Sequence, residues 1–160
     1  MYEHLLNHPL GLIHVLSAIT AMLAGTAVML VRKGTNRHLW VGRSYVVMML
    51  ATNASAMMIY ELFGRFGPFH WMVLASSASW LAGYVVVWRR KKGWRYQHAY
   101  FMAGSYVGLM AAAAAEVATR VPGWSFWLTV VVSSMTVIFV GLYVMQRTIP
   151  KILSVSARGQ

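Results

Sequence analysis

Histidines and one glutamate are the side chains of this chain whose types and spacing suit cofactor chemistry. Imidazole nitrogens bind haem iron, zinc and non-haem iron, and a carboxylate completes many mononuclear metal sites. Cysteine is absent, which excludes thiolate ligands, disulfides and thiol catalysis. Ionisable groups within long apolar segments are costly, so each is a functional candidate by default. The candidates are His14, His38, His70, His98 and Glu116.

The composition places these residues in a membrane protein. The chain has 160 residues, of which 59% are hydrophobic and only 11% are charged, whereas soluble domains carry about 25% charged residues. The 14 Lys and Arg residues gather in short clusters between long apolar runs. This placement is typical of loops at a membrane surface rather than of a nucleic-acid interface. We therefore predict a lipid bilayer as the partner and no nucleic acid.

Five apolar segments are long enough to position the candidates inside a bilayer. A helix that spans the hydrocarbon needs about 20 mostly apolar residues. Gly34 and Thr35 supply the first break and a helix cap, and Pro150 is expected to end the last helix. The prediction is an all-α integral membrane bundle, residues 1–160 forming one transmembrane domain with a four-helix core and a peripheral fifth helix. The predicted helices cover residues 9–31, 39–63, 68–88, 96–118 and 124–149.

The loop charges predict the orientation, because basic residues favour the cytoplasmic side of short loops. In a five-helix arrangement nearly all basic residues fall on one side. Arg65 and Arg120 fall on the other side, together with Glu3, Glu61 and Glu116. We therefore predict an outer N-terminus and a cytoplasmic C-terminus.

Helical phase predicts which faces turn inward. His14 and Arg32 lie about five turns apart and share one face of the first helix with Ala21 and Gly25. Stripes that combine polar and small residues pack inward in membrane bundles. The remaining stripes are His38, Met49 and Asn53 in the second helix, His70 and Ser77 in the third, and His98, Ser105, Leu109 and Glu116 in the fourth.

The depths of the histidines indicate two cofactor sites. His14 and His70 lie near the outer surface, and His38 and His98 lie near the inner one. Each pair joins alternate helices, as axial ligands of two b-type haems would. Two such haems would carry an electron across the bilayer, so any enzyme activity would be that of a membrane oxidoreductase. Such a protein implies a redox partner or a quinone, and it is compatible with an oligomer.

Two arginines extend the haem hypothesis. Arg32 and Arg43 lie near the inner histidines, where guanidinium groups would pair with haem propionates.

Two other interpretations stay open. His14, His70 and Glu116 form a two-histidine, one-carboxylate set that suits zinc or iron. Alternatively, the protein is a non-catalytic membrane subunit or carrier, with histidines that only cap helices or bond between them. His4 and His8 precede the first helix and are expected to be exposed.

Several motifs resemble a known family. One stretch contains Lys33-Gly34-Thr35, His38, Gly42-Arg43 and Tyr45, another is Phe66-Gly67-Pro68-Phe69-His70-Trp71, and a third runs from His98 through Ser105-Tyr106 to Glu116 and Arg120. Over about residues 10–122 the chain resembles the domain-of-unknown-function 2306 family of predicted bacterial membrane proteins. The resemblance implies a compact multi-pass domain in the bacterial cytoplasmic (inner) membrane and no particular reaction. The histidine layout is also similar to that of ascorbate-reducing and ferric-reducing transmembrane cytochromes b.

Overall fold

The computed structural model describes residues 9–60 and 64–158, with side chains described as far as residue 154. Every regular element in these ranges is helical, which confirms the predicted all-α class and the number of helices. Glu3, His4, His8 and Glu61 lie outside the described residues. The helices are α1 (Pro9–Leu30), α2 (Asn36–Met58), α3 (Pro68–Arg89), α4 (Trp94–Ala118) and α5 (Phe126–Arg158).

Helix α2 begins earlier and ends earlier than predicted. Thr35 is its N-cap, and the Thr35 hydroxyl accepts a hydrogen bond from the backbone N–H of His38 at 3.2 Å. This cap satisfies one of the first backbone donors, so the helix starts at Asn36. At the other end Ile59 is extended, and the helix stops at Met58. The predicted end at residue 63 is wrong.

Helix α5 continues through Pro150, so the predicted end at residue 149 is also wrong. The helix has 33 residues, which correspond to about 50 Å at the rise of an α-helix. Proline lacks a backbone N–H, so the helix loses one hydrogen bond at this position. The remaining backbone bonds carry the helix to Arg158.

Four of the helices are long and apolar enough to cross a membrane. They are α1, α3, α4 and the Phe126–Ser154 part of α5. Helix α2 has 23 residues, which is sufficient length, but its sequence is more polar than the sequences of the other four. Its passage across the bilayer therefore stays a prediction, as does the orientation of the termini.

The chain forms two compact units, residues 1–77 and 78–160, and the boundary falls within α3. In the first unit α1 packs against α2. Ala21 and Gly25 are buried on α1, and Met49 and Asn53 are buried on α2. These residues of the predicted inward stripes confirm the helical phase of both helices. The predicted place of Arg32 on the inward face of α1 is wrong, because α1 ends at Leu30 and Arg32 is exposed. Small side chains on α1 let the two backbones approach closely.

In the second unit α4 packs against α5. Ser105 and Leu109 of the predicted stripe are buried on α4. Gly141 allows the close approach, because a Cβ atom there would lie 2.6 Å from both methyl carbons of Val107. The sequence analysis did not identify this glycine.

Lys33 closes the C-terminal end of α1. Its Nζ donates to the carbonyls of Val28, Met29 and Val31 at 2.9, 2.7 and 3.3 Å. The last carbonyls of a helix have no partner within the helix, and a cation there also interacts favourably with the helix dipole. Burial lowers the pKa of the Lys33 ammonium below its usual value.

Candidate functional site

His14 is held against α2 by a backbone carbonyl. Its Nδ1 lies 3.2 Å from the carbonyl oxygen of Thr52 and 3.2 Å from the hydroxyl of Ser55. A carbonyl only accepts, so Nδ1 carries the proton, and in the neutral ring Nε2 keeps the lone pair. Histidines that bind metals use this arrangement, in which the second nitrogen donates to a carbonyl or carboxylate. The predicted site residue His14 thus has a ring orientation that suits a ligand.

Hydroxyl groups surround His14 and form a connected network. The Thr52 hydroxyl shares its proton between the Ser17 hydroxyl at 3.0 Å and the carbonyl of Met48, on its own helix, at 2.8 Å. The Ser17 hydroxyl donates to the carbonyl of His14 at 3.0 Å. Ser55 donates to the carbonyl of Ala51 at 2.8 Å. Ser17, Thr52 and Ser55 are buried, and none of them was predicted as a site residue. One signal was available, because Ser17 precedes Ala21 by one turn on the predicted inward face.

Asn53 links α2 to the first half of α3. Its Nδ2 donates to the Ser77 hydroxyl at 2.8 Å, and Asn53 is 7% exposed. A buried amide without a partner would be costly, so this bond fixes which faces of the two helices meet. Both residues belong to the predicted stripes.

His70 differs from His14 in the role of its ring nitrogens. It is 4% exposed, and its Nδ1 accepts a hydrogen bond from the backbone N–H of Gly67 at 3.1 Å. The proton of the neutral ring therefore sits on Nε2, which is buried and has no partner among the described residues. The rings of Tyr60 and Phe66 lie 4.7 and 4.8 Å from the imidazole, centroid to centroid. In this state Nε2 is a hydrogen-bond donor rather than a metal ligand.

His98, in the second unit, repeats the arrangement of His14. Its Nδ1 lies 3.0 Å from the carbonyl oxygen of Gly83 on α3, so Nδ1 donates and Nε2 carries the lone pair. Gly83 makes room for this approach, since a Cβ atom there would lie 2.8 Å from the sulfur of Met102. The Ser79 hydroxyl adds a second bond between the helices, to the carbonyl of Phe101 at 2.8 Å.

The remaining predicted residues of the inner side lie at the start of α2. The backbone N–H of His38 bonds to the Thr35 cap. The Arg43 guanidinium lies 5.6 Å from the centre of the Trp40 ring, and Arg32 lines a groove at the end of α1. Contact of Arg32 and Arg43 with haem propionates stays a prediction.

Glu116 pairs with its own helix. The Arg120 guanidinium donates to its carboxylate one turn further along, and more than a third of each side chain is exposed. Within the described part of either unit, no three histidine or acidic side chains come together as a metal-binding group. The zinc or iron set of His14, His70 and Glu116 draws on both units and stays a prediction.

The two predicted haem pairs differ in where they lie. His14 and His70 belong to the first unit, whereas His38 belongs to the first unit and His98 to the second. Both pairings stay predictions.

Comparison with known proteins returns a family and no characterised relative. No curated protein and no solved structure matches the chain. The family model described as Predicted membrane protein (DUF2306) matches residues 11–154. The match extends beyond the resemblance noted over residues 10–122 and includes α5, while the likeness to cytochromes b stays a prediction. The chain therefore belongs to the DUF2306 family of predicted membrane proteins.

Proposed function

We propose that this membrane protein transfers electrons through two b-type haems, with His14 as a ligand of one and His98 as a ligand of the other. The observation that carries the proposal is shared by both rings. Each Nδ1 donates to a backbone carbonyl of another helix, Thr52 for His14 and Gly83 for His98. Each Nε2 consequently has the lone pair that iron requires. Bound haem would supply one-electron redox chemistry at a potential tuned by its ligands and surroundings.

The protein's own contribution is orientation. A carbonyl that accepts from Nδ1–H fixes the tautomer and the ring plane and makes the opposite nitrogen a better donor to a metal. The Ser55 hydroxyl adds a second contact at the same nitrogen of His14. Rings fixed in this way lose little conformational entropy when they bind a cofactor.

His70 is the second ligand that the sequence predicts in the first unit. Its Nε2 can bind iron only after the ring changes tautomer. Its proton would have to move from Nε2 to Nδ1, and the Gly67 N–H would need another acceptor. The unpartnered Nε2 supports this change, because a buried donor without an acceptor is already costly. Coordination of iron by Nε2 would remove that cost.

An absorption spectrum and a metal analysis of the protein purified after expression with ample haem test the proposal. The wild-type protein should show the absorption bands of haem b. The variants His14→Ala and His98→Ala should each lose intensity. Thr20→Ala on α1 and Gln97→Ala on α4 are matched controls, because both residues are exposed neighbours of the proposed ligands, and both should keep the full spectrum.

Two results would contradict the proposal. A colourless wild-type protein would exclude haem, and zinc or iron in that colourless protein would favour the set of His14, His70 and Glu116. A haem spectrum that neither histidine substitution changes would refute these ligand assignments.

A second candidate is a non-catalytic membrane subunit or carrier. The specific observation in its favour is that the hydroxyls of Ser17, Thr52 and Ser55 already have partners within the network around His14. Such a network stabilises helix packing without any ligand. A folded protein that is free of both haem and metal would support this function.

A further inference from the structure

The basic residues of this chain far outnumber the acids that could neutralise them. There are 14 Lys and Arg residues against 3 acids, and the formal net charge is +11. Glu116 is the one acid within the described part of the chain, and its carboxylate accepts from Arg120. Residues 31–37, from the end of α1 to the first turn of α2, include three basic residues, Arg32, Lys33 and Arg37, and no acid. Its counter-charge must therefore come from another molecule.

A groove lies at this segment. It has a volume of about 440 Å³ and is lined by Val31, Arg32, Thr35, Asn36 and Arg37. Arg32 and Arg37 are both exposed, so their guanidinium groups are open to a ligand. Guanidinium groups bind phosphate oxygens in a two-pronged geometry that an ammonium group cannot copy.

Lys33 lies between the two arginines in sequence, but its side chain is already hydrogen-bonded to the end of α1. Its ammonium group donates to three carbonyls at the end of α1. The charge available to an anion in the groove is therefore that of Arg32 and Arg37. This division of roles is specific, because a merely basic loop would offer all three cations equally.

The groove adjoins the end of a helix that is long and apolar enough to cross a membrane. The α1 segment that can cross a membrane ends at Leu30, immediately before the groove begins at Val31. Trp40, one turn into α2, is 68% exposed, and Arg43 lies over its ring. Exposed Trp next to a basic residue is typical of the interface between hydrocarbon and headgroups. A phosphate at that level belongs to a phospholipid.

We propose that the groove binds the headgroup of an anionic phospholipid, with Arg32 and Arg37 as the phosphate-binding residues. The lipid phosphate supplies the missing counter-charge, and the side chain of Val31 contacts the apolar part of the lipid below it. A headgroup with net negative charge is preferred over a zwitterionic one, since no nearby acid of this segment would pair with a choline or amine.

Native mass spectrometry of the delipidated protein in detergent, titrated with phosphatidylglycerol, tests this site. The double variant Arg32→Gln, Arg37→Gln should bind phosphatidylglycerol at least about tenfold more weakly, because it loses two charge-assisted contacts. The double variant Arg147→Gln, Lys151→Gln removes the same charge from α5 and should change the affinity by less than about twofold. Phosphatidylcholine should bind the wild-type protein at least about tenfold more weakly than phosphatidylglycerol.

Equal losses in both double variants would overturn the site and leave only general electrostatic attraction. Equal binding of the two lipids would overturn the headgroup preference. Displacement of phosphatidylglycerol by millimolar inorganic phosphate would overturn the lipid assignment in favour of a free anion. The double variant Arg32→Lys, Arg37→Lys keeps the charge and is a control for a possible folding defect of the glutamine variant. It should bind several-fold more weakly than wild type, and unchanged affinity would overturn the two-pronged contact.

Discussion

The helix pair α1–α2 and the helix pair α4–α5 achieve close packing in different ways. Between α1 and α2, the Thr52 hydroxyl donates to the Ser17 hydroxyl, and His14 donates to the carbonyl of Thr52. Several hydroxyls of α5 bond to carbonyls of their own segment, as Thr129 does to the carbonyl of Ser125 at 2.8 Å. The close contact of α5 with α4 is made by Gly141. The first interface is specified by hydrogen bonds and the second by shape.

Both units nevertheless hold a histidine in the same way. His14 and His98 each donate from Nδ1 to a carbonyl of another helix. The surroundings differ, because His14 lies within a hydroxyl network and His98 lies beside the close approach of Gly83 to Met102. Two different packing solutions that produce one ring orientation suggest that the ring orientation matters for function.

The largest expected effect concerns α2, whose polar face distinguishes the first unit. Because the chain has no cysteine, single cysteines can be labelled without background. If α2 crosses the bilayer, Asn36→Cys and Arg65→Cys should react with a membrane-impermeant maleimide from opposite sides, an all-or-none difference. Lys91→Cys should react from the same side as Asn36→Cys, the cytoplasm.

Labelling of residues 36 and 65 from one side would mean that only the four more apolar helices cross. A reporter fused after Gln160 gives an independent check. It should be active in the cytoplasm, and activity on the outer side would contradict the predicted orientation.

Gly141→Ala should break the shape-dependent interface. The new Cβ would lie 2.6 Å from both methyl carbons of Val107. A β-branched side chain strongly prefers one rotamer within a helix, so the Val107 side chain does not readily move away. We expect a loss of about 1–3 kcal/mol in the free energy of unfolding, measured by denaturation in mixed micelles.

Gly108→Ala is the matched control for this substitution. Gly108 is also helical, but a Cβ atom there meets no atom within 4 Å. It should be neutral or stabilise the protein by up to about 1 kcal/mol. Equal losses in the two variants would show that α4 and α5 do not depend on this contact.

Thr52→Val should weaken the hydrogen-bonded interface by a smaller amount. It removes the donor to Ser17, together with the bond to the carbonyl of Met48 on its own helix, while it keeps the side-chain shape and the backbone carbonyl that holds His14. Hydrogen bonds between membrane helices contribute about 0.6 kcal/mol on average, and we expect a loss of that order in the same assay. Thr20→Val is the control, since the Thr20 hydroxyl bonds only to the carbonyl of Leu16 on its own exposed face. Identical effects would argue against the network.

Lys33→Met should have a similarly small effect. It removes the cation that closes α1 and leaves the carbonyls of Val28 and Met29 to water or lipid headgroups. A favourable charge at a helix end contributes about 0.3–1 kcal/mol, and the unfolding midpoint should fall accordingly. Lys91→Met, an exposed loop position, should leave the midpoint unchanged. The phospholipid affinity of Lys33→Met should also stay close to that of wild type, because Arg32 and Arg37 remain.

Local sequence was sufficient to predict the helices and their inward faces. The long apolar runs, the Thr35 cap and Pro68 at the start of α3 are determined by composition and by bonds between near neighbours in the chain. The inward position of Ala21, Met49 and Ser105 follows from the period of the helix alone. Of the two wrong helix ends, one lies where Ile59 becomes extended within an apolar run, and the other lies where the helix continues past Pro150.

The roles of the ring nitrogens were decided by tertiary structure. Sequence identified His14, His70 and His98 as equivalent candidates, because each is an imidazole in an apolar segment. Their difference arises from partners that no spacing rule predicts, namely the carbonyls of Thr52 and Gly83 as acceptors, and the N–H of Gly67 as a donor. A backbone carbonyl is present at every residue, so only the packing of the helices determines which one a histidine meets.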